Sequence, residues 1–315
     1  MRIVFMGTPE FAVTSLNTLL DNGYEIAAVV TQPDKPKGRK RTLTPPPVKE
    51  AALARGLKVL QPLRMRSREA IEAVAALQPE LIVTAAYGQI LPKEVLELPR
   101  LGCINVHGSL LPRYRGGAPI QRAIMNGETV TGVTIMYMAE GLDTGDMISR
   151  TQVPIEENDT SGDLFRKLSE AGAELLVQTL PSIADGTAVA VPQDDALATY
   201  APNLSRDDER IDWSRPAREL YNQVRGLAPM AGAFTYLEGD VFKIWACRAE
   251  ATSGTAGAEP GTVLTADGPD LLVQTGDGAL RLLTIQPAGK RAMDAASWLQ
   301  GARLPAGTVL GGEPQ

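Results

Sequence analysis

With 315 residues, 44% of them hydrophobic and 22% charged, the chain has ordinary globular composition and enough length for two domains with separate cores, which excludes disorder on a large scale. A formal charge of -6 excludes a general polyanion-binding surface, so any contact with nucleic acid must be local. Two cysteines far apart, Cys103 and Cys247, match no metal-ligand spacing, and no stretch approaches the roughly 18 apolar residues of a membrane span; the expectation is free, buried thiols, no metal, no membrane and a cytoplasmic protein.

The opening apolar run, residues 2–6, is too short for a signal peptide and reads as a first strand ending at Gly7. Residues 9–22 then place Phe11, Leu16, Leu19 and Leu20 at near-helical spacing, and a second apolar run follows at 26–31. A strand, a helix and a strand begin a parallel sheet. The intervening turn lacks the G-x-G-x-x-G that cradles a dinucleotide, so a Rossmann-like fold is expected without that cofactor, and a nicotinamide-dependent oxidoreductase is disfavoured.

Residues 32–47 carry five basic residues, Lys35, Lys37, Arg39, Lys40 and Arg41, with three prolines behind them, and are expected to be an exposed loop. The pattern resumes with a helix at 48–55, a strand at 58–61, a helix at 68–77, a buried strand at 81–86 closed by Tyr87-Gly88, and a helical turn reaching 98. An apolar strand at 102–106 delivers Asn105 and His107. Further on come a helix at 118–126, strands at 131–138 and 147–155 around the turn Gly141-Leu142-Asp143-Thr144-Gly145-Asp146, and a helix capped near Asp159 that runs to 184.

The stretch 186–202 is extended and rich in small residues, which marks a linker. Beyond it, apart from a helix at 217–225, five short strand-like runs are separated mostly by glycine-containing turns. The predicted architecture is therefore α/β: a Rossmann-like, mostly parallel sheet domain over 1–189, a linker over 190–206 and a small OB-like β-barrel domain over 207–315.

His107 is the only histidine, so it is the first candidate for acid–base chemistry near neutral pH. Asn105 lies two residues before it on the same strand, hence on the same face. An amide, an imidazole and the carboxylate of Asp143 are the groups that acyl transfer to an amine requires: donors for an oxyanion and a route for a proton. Taken alone, these residues leave open a packing histidine and an ordinary glycine-aspartate turn. No serine-hydrolase elbow is present, and neither cysteine has a basic partner nearby in sequence, so a covalent nucleophile is not indicated.

The run Asn105-Val106-His107-Gly108-Ser109-Leu110-Leu111-Pro112-Arg113-Tyr114-Arg115-Gly116, with the Gly141 to Asp146 turn downstream, resembles the signature of folate-dependent N-formyltransferases. Met6-Gly7-Thr8-Pro9-Glu10-Phe11, Thr31-Gln32-Pro33-Asp34, Gln61-Pro62, Ala86-Tyr87-Gly88, Ile211-Asp212-Trp213 and Gln286-Pro287-Ala288-Gly289-Lys290 are similar to stretches of the tRNA-formylating members of that family. The resemblance covers nearly the whole chain. It implies that Asn105, His107 and Asp143 form the catalytic group. It implies as well that Ser109, Leu110, Leu111 and Pro112, with Tyr87 and Gly88 nearby, line the site of a 10-formyltetrahydrofolate donor. The acceptor would be the α-amino group of methionine esterified to initiator tRNA, and the protein a monomer.

The resemblance also gives the basic loop a purpose, contact with the tRNA acceptor arm through Arg39, Lys37, Lys40 and Arg41. Lys40 stands where the family usually has a second glycine. From 207 to 315 there are 14 acidic against 10 basic residues, so an RNA-binding face there requires sorting of the cations, with Lys290 and Arg291 the expected phosphate contacts. A formyltransferase acting on a sugar or nucleotide amine, and a non-catalytic RNA-binding factor, are the alternatives.

Overall fold

A computed structural model describes residues 1–38, 40–251, 257–267 and 270–312. The chain divides into two compact units: the first holds Met1–Pro119, Val130–Pro154 and Phe165–Ala201, the second Ile120–Thr129, Ile155–Leu164 and the residues from Pro202 onward. No helix among the described residues is long and apolar enough to cross a membrane.

In chain order the N-terminal part contains β1 (Arg2–Gly7), α1 (Glu10–Asp21), β2 (Glu25–Val30), β3 (Lys35–Lys37), β4 (Thr42–Thr44), α2 (Pro47–Ala54), β5 (Val59–Leu60), α3 (Arg68–Ala75), β6 (Leu81–Ala85), α4 (Lys93–Leu96), β7 (Cys103–His107), α5 (Pro119–Met125), β8 (Val130–Tyr137), β9 (Met147–Pro154) and α6 (Ser161–Ala184). Seven of the strands form one sheet in the order β5-β2-β1-β6-β7-β8-β9. It is parallel from β5 to β7 and antiparallel across β7-β8 and β8-β9. Every residue of β6 is buried, as a central strand covered on both faces requires.

Close approach explains two glycines of this unit. A Cβ on Gly7 would lie 2.6 Å from the Ala12 Cβ and 2.9 Å from the Ala85 oxygen, so glycine lets α1 begin against the sheet. A Cβ on Gly172 of α6 would meet Val106 at 2.9 Å, so that helix seats directly on β7 and β8.

The C-terminal part adds α7 (Arg206–Glu209), α8 (Ala217–Leu227), β10 (Ala233–Leu237), β11 (Asp240–Glu250), β12 (Val263–Asp267), β13 (Asp270–Gln274), β14 (Ala279–Gln286), β15 (Met293–Asp294) and α9 (Ala295–Leu299). Its sheet is antiparallel, in the order β10-β11-β14-β13-β12 with β15 on β14. Leu220, Phe242, Ile244, Leu271, Val273, Leu280, Leu282 and Ile285 fill its core. Trp213 joins them with its indole N–H donating to the Thr235 hydroxyl at 3.0 Å, the partner a buried indole needs.

In this C-terminal part three short elements go beyond the sequence expectation: α7, β15 and α9. Two carry a cap signal. Ser205 and Asp208 form a capping box at α7, and Asp294 accepts from the Ser297 N–H at α9.

Both cysteines are buried and unpaired. Burial pushes the Cys103 thiol up to about 12 and raises Cys247 as well. Neither thiol should therefore react with a thiol reagent in the native protein at neutral pH, and both should react once urea unfolds the chain. Rapid labelling of even one equivalent in the folded state would contradict this packing.

Candidate active site

The ends of β6 and β7 lie side by side, with Thr84 opposite Asn105, while Asn105 and His107 face Met136 and Thr134 across the antiparallel pair. Carboxyl ends of parallel strands are where open α/β sheets place their ligands. The Thr84 hydroxyl lies 2.8 Å from the Asn105 amide oxygen and donates to it. With the oxygen on Thr84, the Asn105 NH₂ lies on the other side of the amide, and Asn105 is half-buried rather than sealed.

His107 is 5% exposed. Its Nε2 is 3.1 Å from the Tyr114 carbonyl oxygen, an atom that only accepts, so Nε2 carries a hydrogen. The other ring nitrogen, Nδ1, faces Asp143 Oδ2 at 3.8 Å. This is too long for a hydrogen bond. The same carboxylate oxygen accepts from the Gly116 N–H at 2.8 Å. Imidazole and carboxylate thus converge on one gap, each fixed from behind by the 114–116 backbone.

The loop after β7 is tied by Thr134, whose hydroxyl donates to the Ser109 oxygen at 2.7 Å and accepts from the Leu111 N–H at 3.1 Å. The Ser109 hydroxyl donates to the Arg113 oxygen at 2.7 Å. Ser109 and Leu111 are fully buried, so they shape the loop without presenting side chains; Leu110 and Pro112 keep exposed surface.

Tyr87 differs from the expectation in the same way. Its ring sits in the apolar core with Met65, and burial pushes its phenol up to about 12. What it offers is a carbonyl, which accepts from the Thr8 hydroxyl at 2.8 Å and Gln32 Nε2 at 3.3 Å. Gly88 is exposed, with φ +85°.

The basic segment is a two-stranded hairpin rather than an irregular loop, pairing Lys35 with Thr44 and Lys37 with Thr42. Its turn closes through the Arg41 N–H to the Gly38 oxygen, with both residues at positive φ. Lys35, Lys37, Lys40 and Arg41 are exposed and none makes an ion pair among the described residues; Arg39 lies outside the described residues. Asp34 fixes the base of the hairpin, accepting from Gln61 Nε2 at 2.7 Å and from Lys49 Nζ at 2.9 Å, and these two bonds hold its carboxyl below the usual range. In the second unit Lys290 and Arg291 are exposed, and Gln286 Nε2 donates to the Lys290 oxygen at 3.0 Å.

Sequence reasoning missed Thr84, Thr134 and Gln193. The two threonines sit on the neighbouring strands, where only register could have placed them beside Asn105 and His107. Gln193 lies in the extended stretch taken for a linker, whose residues through Ala201 pack with the first unit, and its amide nitrogen donates to the Asp143 and Gly145 carbonyls. No group of His, Cys, Asp and Glu among the described residues could hold a metal ion.

The profile of the formyl transferase family matches residues 1–180, and that of the formyl transferase C-terminal domain matches residues 203–303. The chain is 56% identical over 311 residues to the methionyl-tRNA formyltransferase of Bacillus subtilis and 55% identical to that of Bacillus licheniformis, covering 98% of this chain and of each relative. Among solved structures it superposes on WlaRD, a sugar 3N-formyl transferase crystallised with dTDP and 5-N-formyl-THF, with a TM-score of 0.66 at 22% identity over 92% of this chain and 99% of that one. It also superposes on HypX from Aquifex aeolicus in complex with tetrahydrofolic acid, with a TM-score of 0.65 at 19% identity over 95% of this chain and 47% of that one. At these identities the two structures speak to the fold alone.

Proposed function

This chain belongs to the formyl transferase family, and we propose that it is a member that transfers the formyl group of 10-formyltetrahydrofolate to the α-amino group of methionine esterified to initiator tRNA. The observation that carries this reading is the approach of Asp143 to His107 Nδ1, 3.8 Å apart at the end of β7, the strand that also carries Asn105 two residues earlier. Near-full-length identity to the Bacillus enzymes supports the choice of acceptor.

In this mechanism Asn105 donates from Nδ2 to the oxygen that gains charge as the amine attacks, its own carbonyl being held by Thr84. His107 keeps Nε2–H on the Tyr114 carbonyl and, in its doubly protonated form, donates from Nδ1 to the same oxygen. Asp143 faces Nδ1, orients the ring, and assists the proton that leaves the amine on its way to the departing N10. Leu110, Pro112 and Gly88 offer the donor its exposed lining, while Ser109 and Leu111 hold the loop's shape.

The hairpin cations and Lys290-Arg291 are the proposed phosphate contacts, and the domain from residue 207 serves RNA. The reading takes the protein to act as a monomer, and two free thiols suit the cytoplasm.

The test is formylation by the purified protein of charged initiator tRNA, with elongator methionyl-tRNA and a sugar-nucleotide amine as competing acceptors; preference for the sugar amine would overturn the reading. Removing hairpin charge by Lys37→Ala with Arg41→Ala should weaken tRNA binding and reduce the salt slope by about one per lost phosphate contact, leaving the donor KM unchanged. An unaltered slope would mean a hairpin that merely faces solvent.

A further inference from the structure

Asp143 stands in a turn that does not hold itself. Its φ is +51°, a left-handed conformation that a non-glycine residue keeps only where the surroundings enforce it. Gln193 supplies that enforcement. Its Nε2 donates to the Asp143 carbonyl at 2.7 Å and to the Gly145 carbonyl at 2.8 Å, spanning the turn on either side of Thr144.

The direction of the amide is settled by what lies behind it. Arg115 donates to Gln193 Oε1 from both Nε, at 3.0 Å, and Nη2, at 2.8 Å, and a guanidinium never accepts, so the oxygen must face Arg115 and the NH₂ must face the turn. Arg115 is 2% exposed and also meets Asp195 at 2.8 Å. The residue after it, Gly116, holds the Asp143 carboxylate. Asp143 is thus gripped at its main chain through Gln193 and at its side chain through Gly116.

The segment that carries Gln193 is anchored on both flanks. Val191 and Met147 exchange backbone hydrogen bonds at 2.8 Å in each direction, and the Arg115 N–H donates to the Thr199 oxygen at 2.8 Å while the Ala201 N–H donates to the Arg115 oxygen at 2.7 Å. Both ends of the Gln193 amide are engaged, the oxygen by Arg115 and the nitrogen by the turn. Its action must pass through Asp143.

We propose that Gln193 is a positioning residue for the transfer reaction, setting the place of the Asp143 carboxylate opposite His107 Nδ1. This rests on the reading of Asp143 as catalytic. A displacement of about 1 Å in a reacting constellation costs about 10²-fold in rate, so loss of the two turn bonds should fall on kcat.

The experiment compares Gln193→Met, Gln193→Glu and Asp143→Ala in the full chain by steady-state formylation, with kcat taken per folded protein from near-UV circular dichroism. Gln193→Met should lower kcat by about 30- to 100-fold, with KM for donor and tRNA within about threefold of wild type, and should move the pH–rate profile. Gln193→Glu keeps the size and the acceptor for Arg115 but turns an oxygen toward two carbonyls, so it should lose as much. Wild-type kcat in Asp143→Ala would remove the reading beneath the proposal. An inactive Asp143→Ala beside wild-type kcat in either folded Gln193 variant would overturn the proposal itself, as would a loss confined to KM.

Discussion

Replacing His107 by alanine is expected to lower kcat for formylation by about 10³-fold, about 4 kcal/mol of transition-state stabilisation, because in the proposed mechanism one substitution removes both an oxyanion donor and the partner of Asp143. The fold should survive with a measurable loss of stability. His107 is buried, and its removal leaves the Tyr114 carbonyl without its N–H, a cost of about 1–3 kcal/mol. Steady-state kinetics and a urea unfolding curve on the same preparation separate the two effects. Turnover within tenfold of wild type in a folded variant would remove His107 from the chemistry.

Gly145→Ala should have the largest effect on the frame of the site. A Cβ at this position would lie 1.8 Å from the Tyr137 carbonyl oxygen and 2.8 Å from its carbon, and both atoms belong to the last residue of β8. Main chain in a paired strand cannot move aside as a side-chain tip can. The turn must then pull away from β8, breaking the hydrogen bond from the Tyr137 N–H to the Asp146 oxygen and carrying Asp143 with it. We expect a loss of about 3 kcal/mol in urea unfolding together with near-complete loss of activity. Gly289→Ala is the control: its φ is +71°, but a Cβ there meets nothing within 4 Å, so only the backbone cost of about 1 kcal/mol should appear. Equal effects at the two positions would mean that the close approach to Tyr137 is easily relieved.

The parts of this molecule that could be read in advance are those written in local periodicity. β1, β6 and β7 are apolar runs bounded by glycine or proline, and α6 shows leucines on one face, so their positions follow from burial alone. Strand direction does not: nothing in the residues of β8 and β9 says that they run antiparallel to β7. The hairpin of β3 and β4 escaped because its lysines, prolines and threonines lack any apolar alternation; turn geometry and the Asp34 anchor make it, not a core.

Within the site the same division holds. Asn105 and His107 are two apart on one strand and are legible as a pair, while Asp143, in a glycine-rich turn far along the chain, is legible only as a carboxylate of the right kind at another strand end. The inward turn of the Tyr87 ring has no sequence signal, because a side chain's direction at a strand end depends on what fills the core, here Met65. Gln193 had no signal at all, since a single amide in an extended stretch gains meaning only from the carbonyls it spans.

A chain with one histidine has one imidazole to observe. Histidine labelled with ¹⁵N would give a spectrum with a single pair of ring nitrogens, needing no assignment, and the nitrogen bonded to Tyr114 should register as the protonated one. Spectra taken with donor alone, acceptor alone and both together would follow the hydrogen on Nδ1 directly. The proton inventory of the resting and loaded enzyme is thereby open to measurement without altering a single residue.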